Sequence, residues 1–186
     1  EILIGLVGSE MCIRDSIHHM QSRLKTIQSM LEKLKRKNYE VSINSAVKNL
    51  QDIAGIRVIC SYVQDVYTIA NLLVSQDDVH LVRMADCIRE PKPNGYRSLH
   101  LIVEIPVFLS EGRILVPVEV QIRTIAMDFW ASLEHSLRYK AQEYIPQHIS
   151  DELQRVATDI ASLDQRMQAI HDQVDELSDA RSDNAT

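Results

Sequence analysis

The chain has 186 residues, 45% of them hydrophobic, which suffices for one domain with a buried core and an appended helix. No apolar run reaches the roughly 20 residues that a membrane-spanning helix needs, so no membrane partner is expected. The net charge of −6 lies wholly in the tail, because residues 1–149 carry 17 basic and 17 acidic side chains and residues 150–186 carry 3 and 9; that balance excludes a general nucleic-acid binder.

Glu1 to Ser16 reads as foreign to the domain that follows. Its Gly8-Ser9-Glu10-Met11-Cys12-Ile13-Arg14-Asp15-Ser16 stretch resembles a translated adapter sequence, and the apolar start lacks the basic flank of a signal peptide. Ile17 to Lys37 reads as one helix or two, with Arg23, Lys25, Lys33, Lys35, Arg36 and Lys37 on the exposed side and only Glu32 opposing them. A basic cluster in an otherwise neutral domain suits a confined polyanion such as a nucleotide triphosphate. Ser45 to Ile53 reads as a short helical turn. Ile56 to Tyr62, β-branched and bounded by Gly55, reads as a strand. Val66, Ile69, Ala70 and Leu73 recur at helical spacing between Val63 and Val74.

Val79 to Ile88 reads as a second strand. Leu99–Leu109 and Ile114–Arg123 read as long strands joined at Ser110-Glu111-Gly112-Arg113, and Thr124 to Glu143 as a helix stopped before Pro146. Strands alternating with helices, plus one hairpin, predict an α/β (α+β) fold: a mixed β-sheet flanked by helices. The three cysteines, Cys12, Cys60 and Cys87, have neither metal-ligand spacing nor an even-numbered framework, which fits a reduced, cytoplasmic setting. The domain is placed at 17–146.

Beyond it, Leu153, Val156, Ile160, Leu163, Met167, Ile170, Val174 and Leu177 form an unbroken a/d seam over about four heptads. The seam predicts a C-terminal helix over 147–178, with Ser150 as its N-cap. It leaves open whether that helix packs on its own domain or on another chain. Residues 179–186 read as disordered. His171-Asp172 falls on the flank of this helix, so a His-Asp hydrolase is not expected.

Three segments carry the chemistry. Pro91-Lys92-Pro93-Asn94-Gly95 is turn chemistry, but Tyr96, Arg97, Ser98 and His100 follow at once, and such a cluster can grip something flat and something anionic. In Glu119-Val120-Gln121-Ile122-Arg123-Thr124, alternation puts Glu119, Gln121 and Arg123 on one strand face, which is either solvated or the floor of a site. Asp52 stands just before Gly55 and the first strand. Arg57 projects from that largely apolar strand, and a half-buried arginine needs an anion or an acid partner, for which Asp52 is the structural alternative. Trp130 and Phe129 read as core.

Together with Ser22-Arg23-Leu24-Lys25 and Asp52-Ile53-Ala54-Gly55-Ile56-Arg57-Val58, these motifs closely resemble the synthetase domain of the RelA/SpoT-like alarmone synthetases, nearest the small RelP/RelQ-type members, across roughly residues 20–146. The resemblance implies transfer of the β,γ-pyrophosphate of ATP to the ribose 3′-hydroxyl of GDP or GTP, giving (p)ppGpp and AMP. It implies Asp52 and Glu119 as catalytic Mg²⁺ ligands, with Glu119 also the base. It makes Arg23, Lys25, Lys33, Arg36 and Arg57 ATP ligands. Lys92, Asn94, Tyr96, Arg97, His100, Gln121 and Asp128 become guanine-nucleotide ligands, with Tyr96 stacked on the base and Asp128 standing where many relatives carry Asn. It further implies a homo-oligomer, a tetramer by analogy. The alternative is a catalytically silent guanine-nucleotide-binding regulator of the same fold.

Overall fold

The computed structural model describes residues 16–110, 112–141 and 145–183, with side chains to Leu177. Five strands form one sheet: β1 (Ile17–Leu24), β2 (Ala54–Cys60), β3 (His80–Asp86), β4 (Leu99–Leu109) and β5 (Gly112–Thr124). Their order across the sheet is β1-β2-β5-β4-β3, and only β2 and β5 run parallel. The helices are α1 (Ile27–Arg36), α2 (Ile43–Asn49), α3 (Val63–Val74), α4 (Ile125–Lys140) and α5 (Gln147–Asp183). The mixed sheet with flanking helices is the expected architecture, and β4 and β5 form the expected hairpin with Leu109 opposite Gly112.

The sheet is covered on one face. Val58 and Cys60 of β2, Leu99, Leu101 and Val103 of β4, and Val118, Val120 and Ile122 of β5 point into a core closed by Val66, Ile69 and Ala70 of α3 and Met127 of α4. Burial there pushes the Cys60 thiol up to about 12, so it is an inert packing group. Period-two alternation sends the intervening residues of each strand to the opposite face. A second, small cluster of Leu34, Ala46 and Leu50, with Met30 and Ile53 against it, ties α1 to α2. Local hydrogen bonds fix where helices begin: Thr26, Ser42 and Thr124 accept from Ser29, Ser45 and Met127 backbone N–H groups, and Asp65 accepts from the Tyr62 N–H.

Three expectations are corrected. Ile17–Leu24 is an edge strand, not a helix; it pairs antiparallel along β2, from Ile17 opposite Cys60 to Leu24 opposite Ala54. Ile17, Met20 and Leu24 stand at helical spacing, but Met20 and Leu24 are 46% and 77% exposed, so nothing buries that stripe and the segment pairs with the open edge of β2 instead. α5 begins at Gln147, with Ser150 inside its first turn donating its N–H to the Pro146 carbonyl, and it runs on to Asp183. Phe129 is 57% exposed, while Trp130 is buried.

The tail helix packs on its own domain along a strip offset from the predicted seam. Ala157 and Asp164 are buried, with Leu153 and Ile160 beside them half-buried. Trp130 donates its indole N–H to the Leu153 carbonyl at 3.1 Å, and Gln168 meets Gln64 of α3. Val156, Leu163, Ile170 and Leu177 face outward, between 39% and 63% exposed. The foreign-looking segment up to Asp15 and the last three residues, 184–186, lie outside the described residues. Ser16 is within them, and its hydroxyl donates to Asp65. Among the described residues no helix is long and apolar enough to cross a membrane.

Leu101 is fully buried and Phe108 is 77% exposed on the same strand. Leu101→Ala should cost about 2–5 kcal/mol in denaturant unfolding, and Phe108→Ala under about 0.5 kcal/mol. Equal losses would mean that the hairpin tip is as integral to the core as its base.

Candidate active site

The uncovered sheet face carries two rows of side chains set by strand register. One row runs Arg23, Gly55, Glu119, Ile102, Arg83 and the next runs Gln21, Arg57, Gln121, His100, Ala85. Residues directly opposite in neighbouring strands share a face, so five separate segments of the chain converge on one floor. Two recesses open on it. The first, about 250 Å³, is lined by Gln21, Arg23, Gly55, Arg57, Glu119 and Gln121. The second, about 360 Å³, includes Lys33, Lys37, Asp52, Arg83, Cys87, Lys92, His100 and Glu119. Glu119 is the one residue common to both linings.

Asp52 sits at the entry to β2 and is gripped by Lys25 and by Lys33, the latter at 2.5 Å. Burial works to raise its carboxyl, but the hydrogen bonds and charge of the two lysines outweigh burial and leave it below the ordinary carboxylate range. Its second oxygen, Oδ1, is buried without a hydrogen-bond partner. Glu119 is also held low. The facing imidazole of His100, 3.5 Å away, is the largest cause; burial opposes it, and Gln121 adds a hydrogen bond at 2.9 Å.

Arg123, only 5% exposed, is the hub of the polar network. It donates to the Tyr96 hydroxyl at 2.6 Å, to Gln121 at 3.0 Å and to Asp128 at 3.0 Å. Since the Tyr96 hydroxyl accepts from Arg123, its own proton is free for His100 Nε2 at 2.8 Å. A neutral imidazole then carries its proton on Nδ1, the nitrogen that faces Glu119. One chain of polar contacts thus runs from buried Arg123 through the Tyr96 hydroxyl and His100 to Glu119. The Lys92 ammonium lies 4.7 Å from the Tyr96 ring centroid.

The expected residues do not all meet. Arg23 and Arg57 line the first recess, as does Gln121; Lys33, Lys92 and His100 line the second with Asp52. Arg57 has an acid partner, but it is Asp128 at 3.6 Å rather than Asp52. Burial depresses the Arg57 guanidinium, and repulsion from Arg123 adds to it. Asp128 is thus engaged by two arginines. Asn94 is a turn residue: its Oδ1 accepts from the Tyr96 N–H and its amide donates to buried Glu134 of α4. Arg97 leaves the cleft and faces α5, 3.6 Å from Asp164. Arg36 is exposed and lines neither recess.

Three participants were missed from sequence. Arg83 and Lys37 line the second recess. Period-two alternation with Ala85 signals Arg83, and the four-residue spacing from Lys33 signals Lys37. Arg123 shares the strand face already assigned to Glu119 and Gln121, so its signal was present. Among the described residues no three His, Cys, Asp or Glu side chains converge as a metal cage.

The family model described as "Region found in RelA / SpoT proteins" matches residues 22–144. The GTP pyrophosphokinase YwaC of Bacillus subtilis (strain 168) is 46% identical over 159 residues, covering 86% of this chain and 76% of that protein. The GTP pyrophosphokinase YjbM of the same organism is 39% identical, covering 89% and 77%. Among solved structures, small alarmone synthetase 2 from Bacillus subtilis superposes with a TM-score of 0.82 at 42% identity, covering 91% of this chain and 88% of that one. Small alarmone synthetase 1 bound to its product pppGpp gives 0.80 at 39% identity, covering 86% and 80%. Sequence, fold and the motifs on the open sheet face agree: this chain belongs to the RelA/SpoT family and shares the fold of the small alarmone synthetases.

Proposed function

We propose that this protein is a GTP/GDP pyrophosphokinase: it transfers the β,γ-pyrophosphate of ATP to the ribose 3′-hydroxyl of GDP or GTP, yielding (p)ppGpp and AMP. The observation that carries this reading is Glu119, an ionised carboxylate at the junction of two adjoining cation-lined recesses. Two polyanions must be brought together, and Arg23 and Arg57 on one side, with Lys33, Lys37, Arg83 and Lys92 on the other, offset their charge. Glu119 takes the proton of the 3′-hydroxyl as its oxygen attacks the β-phosphorus of ATP. The bond from that phosphorus to the α-phosphate bridging oxygen breaks, and AMP leaves.

Asp52 and Glu119 are the residues that would hold Mg²⁺. The unpartnered, buried Oδ1 of Asp52 is a hard oxygen donor of the kind such an ion would take. When bound, the ion supplies charge neutralisation at the transferred group. Tyr96 is the platform for guanine, with edge contacts from the surrounding polar network choosing the base.

The outward seam of α5 is proposed to close against a second copy of the chain, within the tetramer that resemblance implies. Six of its apolar positions, from Val156 to Leu177, stand 39–63% exposed, and burying each contributes on the order of 1.5–3 kcal/mol. Light scattering should show an oligomer that dissociates when the chain is ended at Gln147; an unchanged size after truncation removes the tail from assembly.

Incubation with ATP, GDP and Mg²⁺ should yield AMP. Glu119→Gln should lower the rate by about two or more orders of magnitude with the fold intact. A silent regulator would bind nucleotide and give no AMP in either form.

The pH profile provides a separate check. Because His100 holds the Glu119 carboxyl below its ordinary value, activity should persist as pH falls through the usual carboxylate range and fail only below it. His100→Asn removes the largest lowering influence and leaves burial, which raises the carboxyl. The acid limb of kcat should therefore move to higher pH. A limb that stays put would separate His100 from the base.

A further inference from the structure

Asp164 is 7% exposed in the middle of a helix whose other acids, from Asp151 to Glu176, lie on its exposed sides. An aspartate at a core-facing helix position is costly unless it is paired. Burial raises its carboxyl, opposed by Thr124 and Arg97. Both partners belong to the segments that build the cleft. Thr124, fully buried, ends the strand bearing Glu119, Gln121 and Arg123 and donates its hydroxyl to Asp164 Oδ2 at 2.8 Å. Arg97 follows Tyr96 directly, and its side chain, 11% exposed, reaches the same oxygen at 3.6 Å.

Neighbouring residues of the loop therefore face opposite ways. Tyr96 points to His100 and Arg123 over the cleft, and Arg97 points beneath it to α5. The preceding residue is pressed on the same helix. Gly95 adopts φ +84°, and a Cβ there would come within 2.4 Å of the Ala157 side chain. Tyr96 itself packs against the cluster of Trp130, Ala131 and Ala157. The underside of the loop rests on α5 together with α4, whose Glu134 accepts from Asn94 and whose Trp130 packs beside Tyr96.

We propose that Asp164 is a positioning residue for guanine-nucleotide binding: through Arg97 it anchors the Tyr96 loop to α5, so the tail helix sets how well the aromatic platform receives the base. This rests on the reading of Tyr96 as the guanine platform. Asp164→Asn keeps the size and an acceptor for Thr124 and removes the charge facing Arg97. It should raise KM for GDP on the order of tenfold, with KM for ATP and kcat held, in the same direction as Tyr96→Ala and smaller. Arg97→Met should do the same, and the double variant should be no worse than the poorer single one.

Calorimetric titration with GDP alone reads the effect without turnover. If the unaltered protein makes no AMP, the pyrophosphokinase reading fails, and weaker GDP binding by Asp164→Asn still supports this one. Equal losses for ATP and GDP in step with a lower Tm would overturn it, because the contact would then be merely structural. Additive losses in the double variant would also overturn it, placing Arg97 on the nucleotide directly. Should Asp164→Asn not fold, Arg97→Met and Arg97→Lys carry the test from the loop side, with Lys expected to restore part of the affinity.

Discussion

The in-register pairing of β2 with β5 is the constraint on which the rest depends. Gly55 lies opposite Glu119 and Arg57 opposite Gln121, so two strands far apart in sequence present one continuous polar face. A slip of one residue would turn Glu119 into the core and bring Val120 out. What prevents it is the other face. Val118, Val120 and Ile122 are nearly dry against Val58, Cys60 and the residues of α3 and α4, and a one-residue slip would bring them into water. The hydrophobic effect therefore places the Glu119 carboxylate on the open face of the sheet. β1 and β3 then extend the same floor at its edges, adding Arg23 on one side and Arg83 on the other.

On that floor the charges are arranged before any nucleotide arrives. Asp52 is held ionised by Lys25 and Lys33, and Glu119 by His100 and Gln121. Arg57 and Arg123 crowd each other and share Asp128. Such an arrangement costs desolvation, and it spares reorganisation on binding phosphates. The Arg123–Tyr96–His100–Glu119 chain also joins the residues proposed as aromatic platform and base.

The polar triplet of β5 and the buried alternation beneath it were legible because strand periodicity is local, and the hairpin followed from its turn residues. β1 was not legible, since its pairing is dictated by a neighbour's open edge while Ile17, Met20 and Leu24 stand at helical spacing. The direction of Arg97 was illegible for a similar reason. Turn chemistry announced a loop, but the side of the loop that each residue takes depends on a helix some sixty residues further on. Asn94 was misread because a side chain able to bind a ligand can equally close its own turn. Lys37 rather than Arg36 lines the second recess, because a basic helical run does not say which side meets the cleft until Leu34 packs on Ala46 and Leu50.

The tail helix carries two readings on one surface, and their offset explains why only one was seen. In the heptad frame its a positions Leu153 and Ile160 are half-buried while the later ones, Met167 and Val174, are exposed, and Ala157 and Asp164 at e are buried. Its d positions, Val156, Leu163, Ile170 and Leu177, face out. Sequence weighs apolar residues, so it marked a and d and passed over an alanine and an aspartate at e. Yet small size at Ala157 is what admits Gly95 to the helix surface, and charge at Asp164 is what meets Arg97. The strip that touches the domain fits the Gly95–Arg97 segment through small size and charge, and the strip that faces away is apolar and exposed.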